Sequence, residues 1–217
     1  MTRGVFIVGN DSALSRAVEA ETVKRVDKFA SAFIPNRLSE TVSAELSSEF
    51  NYEKRISLEW NPSSPISARA LVLAAENRLE NIDEAVLICS PPVSPSGLSF
   101  STVEIMVNDN IKGWFFLVKE IIKTFKSREH GTLALVFPDI SSKEIDILGA
   151  SALSSFRSLV QSLLSSANKE PYSTIGFSNS DSGNEVAFAS FILKSIDELT
   201  KRSNGKLFKF GKFSFFK

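Results

Sequence analysis

Short aliphatic and β-branched runs alternate with longer stretches of helical period from one end of this sequence to the other, and no other feature restricts its fold as tightly. Residues 5–8, Val-Phe-Ile-Val running into Gly9, have the length and composition of a buried strand. The stretch 13–29 follows, with Leu14, Ala17, Val18 and Val26 near helical spacing, and 29–34 is a second strand stopped by Pro35. A helix over 38–50, a strand over 55–59, a helix over 67–79 and a strand over 84–88 continue the series. The second half predicts one long helix over 102–128, or two joined near Asn110. A strand at 133–137, a helix at 150–167, a strand at 173–177, a helix at 185–202 and a closing strand at 206–216 complete it.

Strands that are apolar almost throughout, separated by amphipathic helices, indicate a parallel sheet covered on both faces. The expected architecture is α/β: a doubly wound, mostly parallel sheet of about seven strands with helices on both sides. No Pro/Gly-rich linker or short-period repeat divides the 217 residues, so one domain, 1–217, is expected. The single cysteine, Cys89, excludes an internal disulfide framework and fits a reducing compartment. The single histidine, His130, leaves no histidine pair to hold a metal. Twenty-five basic and 25 acidic residues cancel, which removes a global field toward nucleic acid or anionic membrane. The first nine residues hold too short an apolar run for a secretory leader, and no stretch reaches the ~18 apolar residues of a membrane span. A soluble, cytoplasmic protein without a metal is expected.

A strand, a glycine-containing turn and a helix at the amino terminus suggest a Rossmann-like dinucleotide fold. Later segments carry the likeness further. Asn110-Ile-Lys-Gly113 followed by Trp-Phe-Phe-Leu-Val resembles the Asn-x-x-Gly helix of short-chain dehydrogenases/reductases, and Gly131-Thr-Leu-Ala-Leu-Val resembles their next strand. Residues 154–164 resemble the helix after their Tyr-x-x-x-Lys, and Asn204-Gly-Lys-Leu-Phe-Lys-Phe-Gly resembles their closing strand. The order is kept over nearly the whole chain. The resemblance implies NAD(P) as cofactor, a tyrosine general acid/base assisted by a lysine four residues on, and a serine that holds the substrate oxygen.

The residues that carry that chemistry are altered. The family's Thr-Gly-x-x-x-Gly-x-Gly appears as Val8-Gly-Asn-Asp-Ser-Ala13-Leu-Ser15, which keeps only Gly9. Those glycines let the backbone approach a pyrophosphate at the helix amino terminus. Ser15 adds bulk at the tight helix–strand contact, Asp11 would repel phosphates, and Asp11 or Ser12 suits a helix cap. Gly149 falls where the tyrosine belongs and Leu153 where the lysine belongs, so no catalytic pair is intact. Asn110 alone matches, and its simplest role is that of a kink residue. Ser141 and Ser142 lie just beyond the strand that should end in the active serine, but a hydroxyl alone, without an activating neighbour, does not move protons at neutral pH. Cys89-Ser-Pro-Pro92 replaces the family's Asn-Asn-Ala-Gly turn, and the connection 178–184 is too short for a substrate lid.

Gly9, Ser12, Leu14, Arg37 and Asn61 remain as weak candidates for cofactor contact: Arg37 follows the second strand, and Asn61 stands where the family has an adenine-contacting aspartate. Cys89 reads as a packing residue rather than a reactive thiol. The last 17 residues interleave phenylalanines with basic side chains, a pattern that an edge strand explains and that also suits single-stranded nucleic acid. Helices 110–128 and 150–167 carry apolar residues over more than one stripe, and the resemblance implies a four-helix contact between subunits through them. The leading expectation is a protein that lacks oxidoreductase activity, binds no cofactor, and serves as an assembly or regulatory partner. It would pair with itself or a related subunit through 110–128 and 150–167. The alternatives are an NAD(P)-dependent oxidoreductase with a remodelled site, and nucleic-acid binding through the basic, aromatic carboxyl terminus.

Overall fold

The computed structural model describes residues 3–26, 28–34, 54–90, 98–140, 145–181, 183–200 and 202–211. Its strands are β1 (Val5–Asn10), β2 (Phe29–Ile34), β3 (Arg55–Ser57), β4 (Glu84–Ile88), β5 (Thr132–Pro138), β6 (Ser173–Asn179) and β7 (Leu207–Phe210). They form one sheet in the order β3-β2-β1-β4-β5-β6-β7, and every pairing is parallel. The sheet is therefore wholly parallel where mostly parallel was expected. The order reverses between β1 and β4, which opens the ligand crevice of a doubly wound sheet at their carboxyl ends.

Alternation along the strands feeds two cores. Phe6, Val8, Ala85, Leu87, Leu133 and Leu135 face α2 (Pro65–Leu79), α4 (Gly113–Arg128) and α5 (Ile147–Ser166). Val5, Ile7, Val86, Ile88, Ile175 and Phe177 face α1 (Ala13–Val23) and α6 (Glu185–Asp197). Burial on both sides is why these strands read as unbroken apolar runs.

Several boundaries move, each for a physical reason. Helix α1 stops at Val23, not residue 29, because Val26 and Phe29 turn into the core as the chain enters β2. Helix α6 stops at Asp197, whose carboxylate is held by arginines from elsewhere. Helix α5 begins at Ile147, three residues early, because Asp146 caps it through the Leu148 and Gly149 amides. The 102–128 stretch is α3 (Phe100–Val107) and α4 joined without a break by a π turn at Asn108–Lys112. Strand β7 covers 207–210 of the expected 206–216. The expected helix 38–50, Arg37, Tyr52, Ser141, Ser142, Pro91, Pro92, Lys201 and residues 212–217 lie outside the described residues.

Candidate functional site at the carboxyl edge of the sheet

Strand β1 delivers Gly9 and Asn10 to the crevice. Ser12, not Asp11, caps α1 by accepting from the Ser15 amide at 3.2 Å. The Ser15 hydroxyl donates back to the Asn10 carbonyl at 2.7 Å. A Cβ on Gly9 would lie 2.5 Å from Ser15 Oγ and 3.2 Å from Ile88 Cβ, so Gly9 is required by this packing. The Ser15 side chain packs at this contact between helix and strand. Leu14 points away from the crevice into the α1–α6 core.

Asp11 pairs with Arg16, 2.9 Å from Nη2 and 3.0 Å from Nε. Arg16 also reaches Glu19 at 3.4 Å and lies 4.4 Å over the Phe33 ring at the end of β2. Arg55 stands 5.4 Å from the same ring, pairs with the Glu19 carboxylate at 2.8 Å and donates to Ser31 Oγ at 2.9 Å. Two guanidiniums thus lie against one aromatic ring, and two carboxylates balance them. Asn61 does not join this group. Its Oδ1 accepts from the Ser63 amide and hydroxyl, a local turn that leads into α2.

Asn110 is buried in the π turn, and its Oδ1 accepts from Asn10 Nδ2 at 2.6 Å. Asn10 Oδ1 in turn accepts from the Ser90 amide at 2.8 Å. One buried amide side chain therefore ties the ends of β1 and β4 to the α3–α4 helix. π turns cluster at functional positions in other proteins, but here the asparagine that marks the turn is engaged with Asn10. The sequence reading passed over Asn10, because an asparagine after Gly9 reads as a turn residue and its partner lies 100 positions away.

At the expected catalytic positions, the Gly149 amide donates to Asp146 at 3.0 Å. Leu153 is 2% exposed and packs in the core with Trp114, Phe137 and Phe156. Trp114 meets Phe156 edge-on with ring centroids 5.1 Å apart, and Phe137 meets Phe156 at 6.4 Å. Arg157 Nη2 donates to the Pro138 carbonyl at 2.8 Å, and stands 3.3 Å from both the Asp139 carboxylate and the Ile140 carbonyl. It anchors the exit of β5. Cys89 is fully buried; burial pushes its thiol far up, and Trp114 and the Arg157 charge offset this only in part. A raised thiol stays protonated and is a poor nucleophile, which agrees with a packing role.

Tyr172 is buried at the start of β6, beside Phe125, at the edge of the sheet opposite Gly9. Burial first, and the Glu170 charge second, push its phenol up to about 12. Among the described residues, no three His, Cys, Asp or Glu side chains gather to hold a metal. The connection from β6 to α6 is confined to 180–184.

No protein-family model matches the sequence, and no curated protein matches it. Solved structures match over almost the full length. A short-chain dehydrogenase/reductase family oxidoreductase of Aeromonas hydrophila aligns at 14% identity over 97% of this chain and 100% of its own, with a TM-score of 0.72. An acetoin dehydrogenase of Salmonella typhimurium aligns at 11% identity over 96% and 94%, with a TM-score of 0.73. An NADH-dependent reductase complexed with NAD aligns at 9% identity over 96% and 95%, with a TM-score of 0.72. At these identities the likeness is one of architecture, and the chain has the fold of the short-chain dehydrogenases/reductases.

Proposed function

We propose that this chain keeps the dehydrogenase fold without the proton relay, and acts as an assembly or regulatory partner. One observation carries the reading: Leu153, where the assisting ammonium belongs, is sealed in the core, and Gly149, where the phenol belongs, has no side chain. A carbonyl brought to this place would find neither a proton donor nor the cation that lowers its pKa. The β1 turn supports the same view. A pyrophosphate would meet the Asp11 carboxylate, and the Ser15 amide it needs is already capped by Ser12. These residues fit a dinucleotide poorly. The rival reading, NAD(P) held by a remodelled loop, draws support from fold alone: one structural neighbour is complexed with NAD and another has NADP bound.

The assembly role is supported mainly by α5. Its 20 residues hold one charged side chain, Arg157, and that one turns in to the β5 exit. The outward face is Ile147, Ser151, Ser154, Ser158, Gln161 and Ser162, an uncharged surface in which small residues permit close helix approach. Helix α4 contributes less than its composition suggests. Trp114, Leu117, Val118, Ile121 and Phe125 are consumed by the chain's own core, and Phe115 is the large apolar side chain left outside. We therefore propose that the contact is made chiefly through α5. Size-exclusion chromatography with light scattering at micromolar concentration tests this. A dimer or larger species that Ser158→Lys converts to monomer is expected; a wild-type monomer overturns the assembly role.

A further inference from the structure

In a parallel sheet the covering helices run against the strands, so the carboxyl ends of α5 and α6 return to the edge where β6 begins. A cleft of about 560 Å³ opens there, between the 3-10 turn at Ala167–Lys169, the start of β6 and the chain beyond α6. Its size falls within the roughly 300–1,000 Å³ of small-molecule sites. It lies at the opposite end of the strands from Gly9 and Asn10.

Two walls are fixed by the chain itself. Asn204 Oδ1 accepts from the Thr174 amide at 2.8 Å, and its Nδ2 donates to the Ala167 carbonyl at 3.1 Å. Tyr172 is 5% exposed, and its ring packs against Phe125 with centroids 5.8 Å apart, so the phenol is held in place. Among the described residues its hydroxyl has no hydrogen-bond partner, and Tyr172 lines the cleft. A phenol this buried ordinarily finds a partner. Burial and the Glu170 charge push it up to about 12, so it stays a hydrogen-bond donor at neutral pH.

The lining sets the class of ligand. Glu170 is its one charged residue, and that carboxylate already pairs with Lys126 Nζ at 2.8 Å. The cleft therefore has no net charge with which to draw in an anion or a cation. Asn168, Tyr172 and Ser173 can each donate and accept, as the hydroxyl of a ligand does. Leu199 adds an apolar surface for carbon-bound hydrogens.

We propose that this cleft binds a small neutral molecule carrying adjacent hydroxyl groups, a polyol or monosaccharide. One ligand hydroxyl accepts from the Tyr172 phenol and donates to Glu170, while Asn168 and Ser173 take its neighbour and Leu199 covers the carbon skeleton. None of these residues belongs to the β1 turn, to positions 149 and 153 or to the outward face of α5. The site therefore stands or falls apart from the missing relay and from the assembly role.

The test uses the full chain with glucose as the probe, and with ethanolamine and acetate as charged comparators at fixed ionic strength. The chain has two tyrosines, Tyr52 and Tyr172, so ring-labelled tyrosine gives two sets of signals and Tyr172→Phe assigns them. Glucose is expected to shift the Tyr172 ring signal and the Leu199 methyl signals saturably. Tyr172→Phe is expected to melt no lower than the parent, since its hydroxyl gives up no partner in the chain. Read at Leu199, it is expected to bind glucose about tenfold more weakly, the worth of one hydrogen bond. Asn168→Ala, at an exposed position, is expected to weaken glucose severalfold. A Tyr172 signal that ignores glucose overturns the site, as does a drift that never saturates, which is the bulk effect of an excluded sugar. Equal affinity in all three chains also overturns it, and so does a Tyr172→Phe chain that melts well below the parent. Saturation by ethanolamine or acetate but not by glucose overturns the neutral assignment.

Discussion

Glu84→Gln is a sharp test of how the sheet is held at its amino edge. Glu84 opens β4 with its side chain 2% exposed, and its carboxylate contacts Arg3 and, at 3.7 Å, Arg25. Both arginines also bind Asp197 at the end of α6, Arg3 at 2.6 Å. Four charges thus join the segment before β1, the end of α1, β4 and α6. Glutamine keeps the shape and removes the charge. Breaking a buried pair from one side typically costs about 3–5 kcal/mol. Here Arg3 is 40% exposed and Arg25 16%, and both keep Asp197, so the stranded cations remain partly solvated and paired. The expected loss is therefore roughly 2–3 kcal/mol, below that range. For a chain of this size that lowers the melting temperature by about 5–10 °C and the urea midpoint by on the order of 1 M, with an unchanged slope. A loss under about 0.5 kcal/mol, typical of a surface substitution, would refute the claim that the buried carboxylate organises this edge.

Three further outcomes follow from the same geometry. Burial opposes the charge on Asp197, but the hydrogen bonds and charges of Arg25 and Arg3 outweigh it and hold the carboxyl below the ordinary range. The folded pKa is the lower one, so this stabilisation is present at neutral pH and is lost as pH falls through the folded value. Asp197→Asn should flatten the acid limb of a urea-midpoint profile, by under about 1 kcal/mol for so exposed a group. Asn10→Ala strands the Ser90 amide and the Asn110 side chain, and should cost about 2–3 kcal/mol by urea titration. Gly9→Ala drives a methyl onto Ser15 Oγ; it should destabilise the chain, and Ser15→Ala should recover part of the loss in a double-mutant cycle.

What was legible in the sequence is what repeats. The apolar runs at β1, β2, β4, β5 and β6 were legible because those strands are buried on both faces, whereas α2, expected from 67, starts at Pro65 behind its Ser64 cap. Helix ends were misjudged wherever a distant partner decides them. Val26 continues the helical spacing of α1 but belongs to the core beneath α6, and nothing local announces that Asp197 meets Arg3. At the site the sequence shows only residue types, Gly149 and Leu153 where the resemblance implies tyrosine and lysine and Ser15 where it implies glycine; what packs around them was not legible. Trp114, Phe137 and Phe156 converge from three elements, and Asn10 finds Asn110 across the sheet. The apolar breadth of α4 was read as a second interface because a single helix face needs only about 100°. In the fold, α2 on one flank and the sheet with α5 on the other use most of that breadth.

We propose that the crevice between β1 and β4 does not serve hydride transfer. Titrating micromolar protein into NADH and NADPH, with the nicotinamide fluorescence and the heat of binding read together, tests it most directly. No saturable, stoichiometric signal is the result predicted for either dinucleotide. Tight one-to-one binding of either would contradict it.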